Sequence, residues 1–322
     1  MNEVYESQSY AQSLTNKARL NLRVSDALTE RFPSVQALHV MANEVAELSN
    51  GEIQLTVIAN GEQGEEHETL KKLATGELAM TRVNLAQLND PCPKTLVMNL
   101  PFIFDSKAHL HACLDSQVGQ TLLQAINETG FVGLGFYESG ERHFYTDRQF
   151  NHPDDLKDVQ LRVPNSAIWH AIANALEAKM ILADIQNVGI ALRRGGIDAA
   201  ENNLFTYLGL EHYQSSPYCL LTQHVMAPDV LLFSGALWQQ LNNQDKNIIQ
   251  QAAQKSVMAS REFAEQFTAS AKKQLIQQGV HFIENTEQSA WIEALQPVYQ
   301  AFIGEEQQPL YQQILALKNA AV

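Results

Sequence analysis

Apolar residues along this chain fall into two rhythms, short alternating runs and longer stretches where they return every three to four positions. Residues 20–24 read as a strand, followed by a polar loop from Ser25 to Ser34. Leu38, Met41, Val45 and Leu48 then keep helical spacing, closed by Ser49-Asn50-Gly51. Ile53, Leu55 and Val57 alternate as a second strand. The loop Asn60-Gly61-Glu62-Gln63-Gly64 leads into a helix carrying Leu70 and Leu73, closed near Gly76, and Leu78 to Val83 forms the next strand. A strand–helix–strand–helix–strand order predicts parallel pairing through crossover helices. The alternation continues with a helix face of Val118, Leu122, Leu123 and Ile126, and with strands at Phe131–Tyr137 and His143–Thr146. A strand at Val159–Val163, a helix from Ala167 to Ala178, a strand at Met180–Leu182 and a helix from Asn187 to Arg194 come next. A short strand near Ile197, strands at Tyr218–His224 and Val230–Phe233, and tail helices near Ser289–Ile303 and Glu305–Ala320 complete the pattern.

Between Gln244 and Gly279 there is no proline and no internal glycine, while Ile248, Ile249, Ala252, Val257, Phe263, Phe267 and Leu275 keep helical spacing. A helix over 244–279 reaches roughly 50 Å, longer than one small domain, so it reads as a strut laid across two lobes. The expected architecture is α/β, with two lobes and a ligand cleft between them. Residues 20–139 plus 228–267 form lobe I, 140–227 plus 268–322 form lobe II, and 1–19 form a lead-in.

Composition narrows the function. Of 322 residues, 45% are hydrophobic and 18% charged, enough for large cores, and the net charge is -14. Such a chain has no electrostatic reason to bind nucleic acid or an anionic membrane, and any anion site must be built locally. No apolar run approaches bilayer-spanning length. The three cysteines, Cys92, Cys113 and Cys219, cannot all pair internally and form no CxxC. The polar start, MNEVYESQSYAQSLTNKA, has no apolar signal-peptide core, which reads either as a cytoplasmic start or as a processed, exported chain carrying a replacement methionine.

Candidate chemistry centres on Val159-Gln160-Leu161-Arg162-Val163-Pro164-Asn165-Ser166. Gln160 and Arg162 share one strand face, Pro164 ends the strand, and Asn165 and Ser166 are N-cap residues for the helix beyond. A guanidinium emerging where a strand ends and a helix begins suits a carboxylate ligand; the plainer alternative is a surface ion pair. Arg142, just before a strand, can join Arg162 in a double cationic grip. In Asp198-Ala199-Ala200-Glu201-Asn202-Asn203 the polar residues point to a crevice or to an Asx turn. Glu66, in Glu65-Glu66-His67-Glu68, either complements a helix N-terminus or accepts from ligand hydroxyls. His109 and Cys113 share a helix face but lack the further ligands a zinc site needs. Trp169 reads as core. No cofactor motif or nucleophile–base arrangement stands out; an enzyme acting on a carboxylate held by Arg162 would need a general base such as His143 or His170.

Val188-x-x-Ala191-Leu192-x-x-Gly195-Gly196-Ile197-Asp198-x-Ala200-Glu201-Asn202, preceded by Leu161-Arg162-Val163-Pro164, resembles the signature of the DctP-type solute receptors of TRAP transporters. Further matches are Ser49-Asn50-Gly51-Glu52-Ile53, Asn60-Gly61-x-Gln63-Gly64 and Leu100-Pro101-Phe102-Ile103-Phe104. The resemblance covers about residues 20 to 315. It implies a periplasmic-binding-protein-like fold and a non-enzymatic periplasmic receptor that closes on an organic acid and delivers it to a TRAP membrane permease. It further implies Arg162 as the carboxylate grip, with Arg142, Asn202, Asn165, Glu66 and Asn84 as further ligand contacts. Glu201-Asn202-Asn203, with Tyr207, His212-Tyr213 and Thr222-Gln223-His224, is similar to the subgroup binding hexuronates and related sugar acids, which adds Asn203. That subgroup carries tryptophan and proline where this chain has Leu204-Phe205. C4-dicarboxylates and sialic-type acids remain alternative ligands.

Overall fold

The β–α–β–α–β pattern at the start of the chain forms as the spacing predicts. In chain order the computed structural model, which describes residues 18–318, contains β1 (Leu20–Ser25), α1 (Pro33–Leu48), β2 (Ile53–Ile58), α2 (Glu66–Thr75) and β3 (Met80–Asn84). Next come α3 (Lys107–Asp115), α4 (Gln117–Asn127), β4 (Phe131–Tyr137), β5 (Arg142–Thr146), β6 (Gln160–Val163) and α5 (Ala167–Ala175). They are followed by β7 (Lys179–Leu182), α6 (Ile185–Arg193), β8 (Ala199–Asn203), α7 (Leu204–Gly209), β9 (Tyr218–Val225) and β10 (Asp229–Ser234). The chain ends with α8 (Gly235–Gln240), α9 (Asn243–Gln277), β11 (His281–Glu284), α10 (Gln288–Ala294), α11 (Gln296–Phe302) and α12 (Gln308–Leu317).

Two compact units divide these elements. The first holds residues up to Asn84, Leu123–Glu138 and Asp229–Ala264. Its sheet runs β2-β1-β3-β10-β4, parallel across β2, β1 and β3, with β10 antiparallel to both β3 and β4. Val24, Leu38, Met41, Ile53, Met80, Phe233 and Ile249 fill its core. Pro33 opens α1 at a position where its missing N–H costs nothing, which begins the helix earlier than the polar loop expected from Ser25 to Ser34. At α2, Glu65 N–H donates to Glu68 Oε2 at 2.8 Å in a capping box, and Gly76 closes the helix at φ 76°.

The second unit holds Leu85–Leu122, Ser139–Pro228 and Glu265 onward. Its sheet runs β11-β9-β5-β8-β6-β7 around a core that includes Tyr145, Val188, Ala200, Tyr207, Cys219, Ala271 and Leu275. The continuous helix α9 gives Ile249 and Ala252 to the first core and Ala271 and Leu275 to the second.

Residues 85–122 depart from the expected division, which placed all of 20–139 in lobe I. They belong to the second unit because their partners come from the far end of the chain. His109 Nε2 lies 2.9 Å from Ile314 O, Tyr299 Oη donates to Pro101 O at 2.5 Å, and Phe102 N–H donates to His224 O at 2.8 Å. Contacts between residues more than 100 positions apart leave no local signal in a sequence. The tail helix expected over 289–303 is two helices, the second opened by Pro297. The strand expected near Ile197 lies instead at Ala199–Asn203, and α7 and β11 were not anticipated.

Candidate functional site

Strands β5, β8 and β6 adjoin in the second sheet, and their register decides which side chains meet. Arg142 lies opposite Asn203, His143 opposite Asn202, and Tyr145 opposite Ala200. On the other side of β8, Arg162 lies opposite Ala200. Directly opposed residues share a face and successive residues alternate. Arg162, Tyr145, His143 and Asn202 therefore share one face, and Arg142, Phe144, Glu201 and Asn203 the other.

Arg162 is only 5% exposed. Its Nε and Nη2 donate to Ala183 O at 3.0 and 2.8 Å, and no carboxylate among the described residues lies within ion-pair distance. Burial lowers its pKa, against the opposing field of Glu201. On the same face Tyr145 Oη lies 2.8 Å from His212 Nδ1, while the buried His212 Nε2 has no partner. Burial holds His212 down to about 4 and His143 to about 3, so both are neutral at neutral pH and add no positive charge beside Arg162.

Arg142 is placed differently. Its Nε and Nη2 close on Glu201 Oε2 and Oε1 at 2.6 and 2.7 Å, and its guanidinium lies 4.8 Å over the ring of the buried Trp169. Burial raises the Glu201 carboxyl, but Arg142 and His224 more than reverse this and hold it at about 2. His224 Nε2 stands 3.6 Å from Glu201 Oε2, beyond hydrogen-bond reach, and its ring stacks on Phe144. The two arginines expected to join in a double grip thus differ: Arg142 is paired within the protein and Arg162 is not.

The asparagines also separate. Asn202 Oδ1 accepts from Asn203 N–H at 2.9 Å, and its Nδ2 makes no hydrogen bond among the described residues, leaving a donor on the Arg162 face. Asn203 caps α7, with Oδ1 accepting from Thr206 N–H at 2.8 Å and Nδ2 donating to Ser139 O at 2.6 Å, which is the turn-forming alternative for this stretch. Asn165 is exposed just after β6, and its side chain makes no hydrogen bond among the described residues. Ser166 occupies the N-cap of α5 as its sequence predicts, yet its side chain forms no cap bond and its buried Oγ has no partner.

Glu66 and Asn84 lie in the first unit, around a residue the sequence reading passed over. Arg82 is 3% exposed and meets three carboxylates. Its Nε donates to Asp26 Oδ2 at 2.9 Å and its Nη2 to Asp26 Oδ1; its Nη1 donates to Glu66 Oε1 at 2.7 Å and to Asp229 Oδ2 at 3.4 Å. Burial lowers the Arg82 pKa, but the three acids raise it well above the usual arginine value. Glu66 Oε1 also accepts from Asn84 N–H at 3.1 Å, and Asn84 Nδ2 donates to Asp229 Oδ1 at 3.0 Å. Burial, opposed by Arg82 and reinforced by Asp229 and Asp26, pushes the Glu66 carboxyl up to about 7. The signal that could have found Arg82 is the one that found Arg162, an arginine inside an apolar β-run.

His109, one of the metal candidates, is instead structural, with Nδ1 accepting from Asp105 N–H at 3.3 Å. Trp169 is core, as expected, and also the platform beneath Arg142. Among the described residues no helix is long and apolar enough to cross a membrane.

Comparison with known proteins adds a family. The model for bacterial extracellular solute-binding proteins of family 7, the DctP family, matches residues 24–306. A TRAP periplasmic solute-binding protein from Bradyrhizobium sp. BTAi1, solved with α/β-D-galacturonate, is 31% identical with a TM-score of 0.89, over 92% of this chain and 99% of that one. Another from Xanthobacter autotrophicus Py2, solved with β-D-galacturonate, is 32% identical with a TM-score of 0.88, over 92% and 99% of the two chains. A solute-binding protein of Chromohalobacter salexigens is 28% identical over 85% of this chain and 82% of its own.

Proposed function

Because the chain belongs to family 7 of the bacterial extracellular solute-binding proteins, we propose that it is the periplasmic receptor for a hexuronate or closely related sugar acid. Its membership makes it a TRAP-type solute receptor rather than an enzyme. The acid it captures passes to a TRAP membrane permease.

The observation that carries the reading is Arg162, a buried guanidinium with no carboxylate paired to it. An unpaired buried charge is costly, and a ligand carboxylate removes that cost. Asn202 offers a donor on the same face.

Charge count supports a monoanion. On the second unit, Arg142 is paired with Glu201 while Arg162 has no carboxylate within ion-pair distance among the described residues, and His143 and His212 are neutral, so Arg162 is the cation proposed for the ligand. On the first unit, Arg82 already faces Asp26, Glu66 and Asp229, so the groups proposed to meet the rest of the ligand include no spare cation. A C4-dicarboxylate would bring a second charge without a partner. A sugar acid brings hydroxyls instead, which Glu66 and Asn84 are suited to meet. Asn165 is proposed as a further contact, and Asn203 as support for its neighbour Asn202.

A thermal-shift panel tests the reading, because a ligand that binds only the native state raises apparent stability by mass action. D-galacturonate and D-glucuronate should raise the melting temperature, whereas succinate and sialic acid should not. A shift with succinate alone overturns the sugar-acid assignment.

A further inference from the structure

Glu66 gathers an unusual environment. Its neighbours are Arg82 and Asn84 on β3, Asp229 on β10 and Asp26 just after β1, while α8, which also packs on α2, brings no charged residue. Among the four ionisable groups, three carboxylates surround one guanidinium. Asp26 is 0% exposed and Asp229 4%, so water does little to disperse the excess negative charge. Asp26 takes Arg82 in a two-pronged pair, and Asp229 is held by both Arg82 and Asn84 Nδ2. Glu66 is the member with the greatest access to water, its side chain 18% exposed.

Its two oxygens are unequal. Oε1 accepts from both Arg82 Nη1 and Asn84 N–H, whereas Oε2 has no hydrogen-bond partner among the described residues. A proton on Oε2 disturbs neither bond, since a carboxylic acid keeps its carbonyl oxygen as an acceptor. It also relieves the repulsion that Asp229 and Asp26 exert on a charged Glu66.

We propose that Glu66 captures ligand as a neutral carboxylic acid, with Oε1 held by Arg82 and Asn84 and Oε2 donating its proton to an oxygen of the sugar acid. The proton comes from solvent, no covalent bond changes, and binding of the anion is accompanied by net proton uptake near neutral pH. This rests on the sugar-acid reading and deepens it, because a protonated Glu66 turns an anion-repelling group into a donor. The held-down histidines His143 and His212 do not titrate in this window.

The test uses the full chain with D-galacturonate as probe. Carbon-13 NMR of the Glu66 carboxyl, assigned by its loss in Glu66→Gln, should give a titration midpoint near neutrality in the unliganded protein. Calorimetry from pH 6 to 8.5, in buffers of unlike ionisation enthalpy, should show proton uptake and up to tenfold weaker binding per pH unit above that midpoint. The pH dependence should be absent in Glu66→Gln. A midpoint in the ordinary carboxylate range overturns the proposal, as does pH-independent binding without proton exchange. If Glu66→Gln does not fold, the wild-type midpoint and proton count still decide. If no sugar acid binds at any pH, the function reading falls and takes the ligand half of this proposal with it, while the midpoint separately decides the protonation.

Discussion

Arg162→Ala isolates the interaction on which the functional reading depends. The wild-type guanidinium is 5% exposed and spends two of its donors on Ala183 O, leaving the rest for a ligand. Truncation leaves the ligand carboxylate desolvated without a charged partner, a loss of about 2–5 kcal/mol. That corresponds to a rise in Kd of roughly 30-fold to several thousand-fold. The unliganded fold should change little. Ala183 is only half-buried, so water can replace the lost donors at its carbonyl, and removing an unpaired buried charge offsets the lost bonds. The free protein's unfolding free energy should therefore stay within about 1 kcal/mol of wild type. Arg162→Lys should fall between the two, keeping the charge but not the planar fork. Calorimetry with D-galacturonate measures the first effect and urea unfolding the second. Near-normal affinity in Arg162→Ala, with a normal fold, would refute the assignment of the carboxylate to this side chain.

Glu201→Gln should destabilise the protein itself, because it removes the charge of the fully buried carboxylate that the half-buried Arg142 grips with two nitrogens; the loss should be about 1–3 kcal/mol, read by the urea midpoint. Asn202→Asp should place a carboxylate on the Arg162 face, where it pairs with the guanidinium and displaces the ligand, so affinity should drop at least about 100-fold in calorimetry while the fold persists. Stability should also respond to pH in two opposed senses. His143 and His212 are held at about 3 and about 4, below the usual 6.5, so the unfolded chain binds more protons and their contribution is lost as pH falls below about 6.5. Glu66, raised from 4.5 to about 7, is the reverse, its contribution full below about 4.5 and lost as pH rises toward 7. Denaturation between pH 7 and 5 should show a steeper acid-side decline in Glu66→Gln than in wild type; equal slopes would refute the opposition.

Much of the fold was legible because its elements carry ordinary periodicity. β4 falls on Phe131–Tyr137 as expected, and α9 runs Asn243–Gln277 against an expected 244–279. The exceptions have physical causes. β8 is a fully buried strand with Glu201, Asn202 and Asn203 in it, so its polar residues hid the strand and moved the expectation back to Ile197. Segment 85–122 lacks a local signal for its unit because distant helices hold it. At the site, the Arg162–Pro164–Ser166 succession gave the strand end and helix start correctly. What it could not give was the face on which Arg142 lies, which depends on the β5–β8 register, or the acid that neutralises it.

Two arginines with nearly the same local sequence show why partners, not position, carry the functional argument. Arg82 in Met80-Thr81-Arg82-Val83 and Arg162 in Leu161-Arg162-Val163 both interrupt apolar β-runs, and both are almost fully buried. Arg82 meets three carboxylates with one charge, and the proposed proton on Glu66 eases the repulsion among them. Arg162 has a carbonyl oxygen for its charge and, among the described residues, no carboxylate within ion-pair distance. A buried excess and a buried deficit of negative charge are both costly, and each is corrected by something from solution, a proton in one case and a carboxylate in the other. Under the proposed reading, a monoanionic acid supplies the charge missing at Arg162 and asks for no second cation. A dicarboxylate would bring a second charge for which Arg82, already surrounded by acids, is not available, and this asymmetry, more than the presence of either arginine, sets the proposed sugar-acid reading apart.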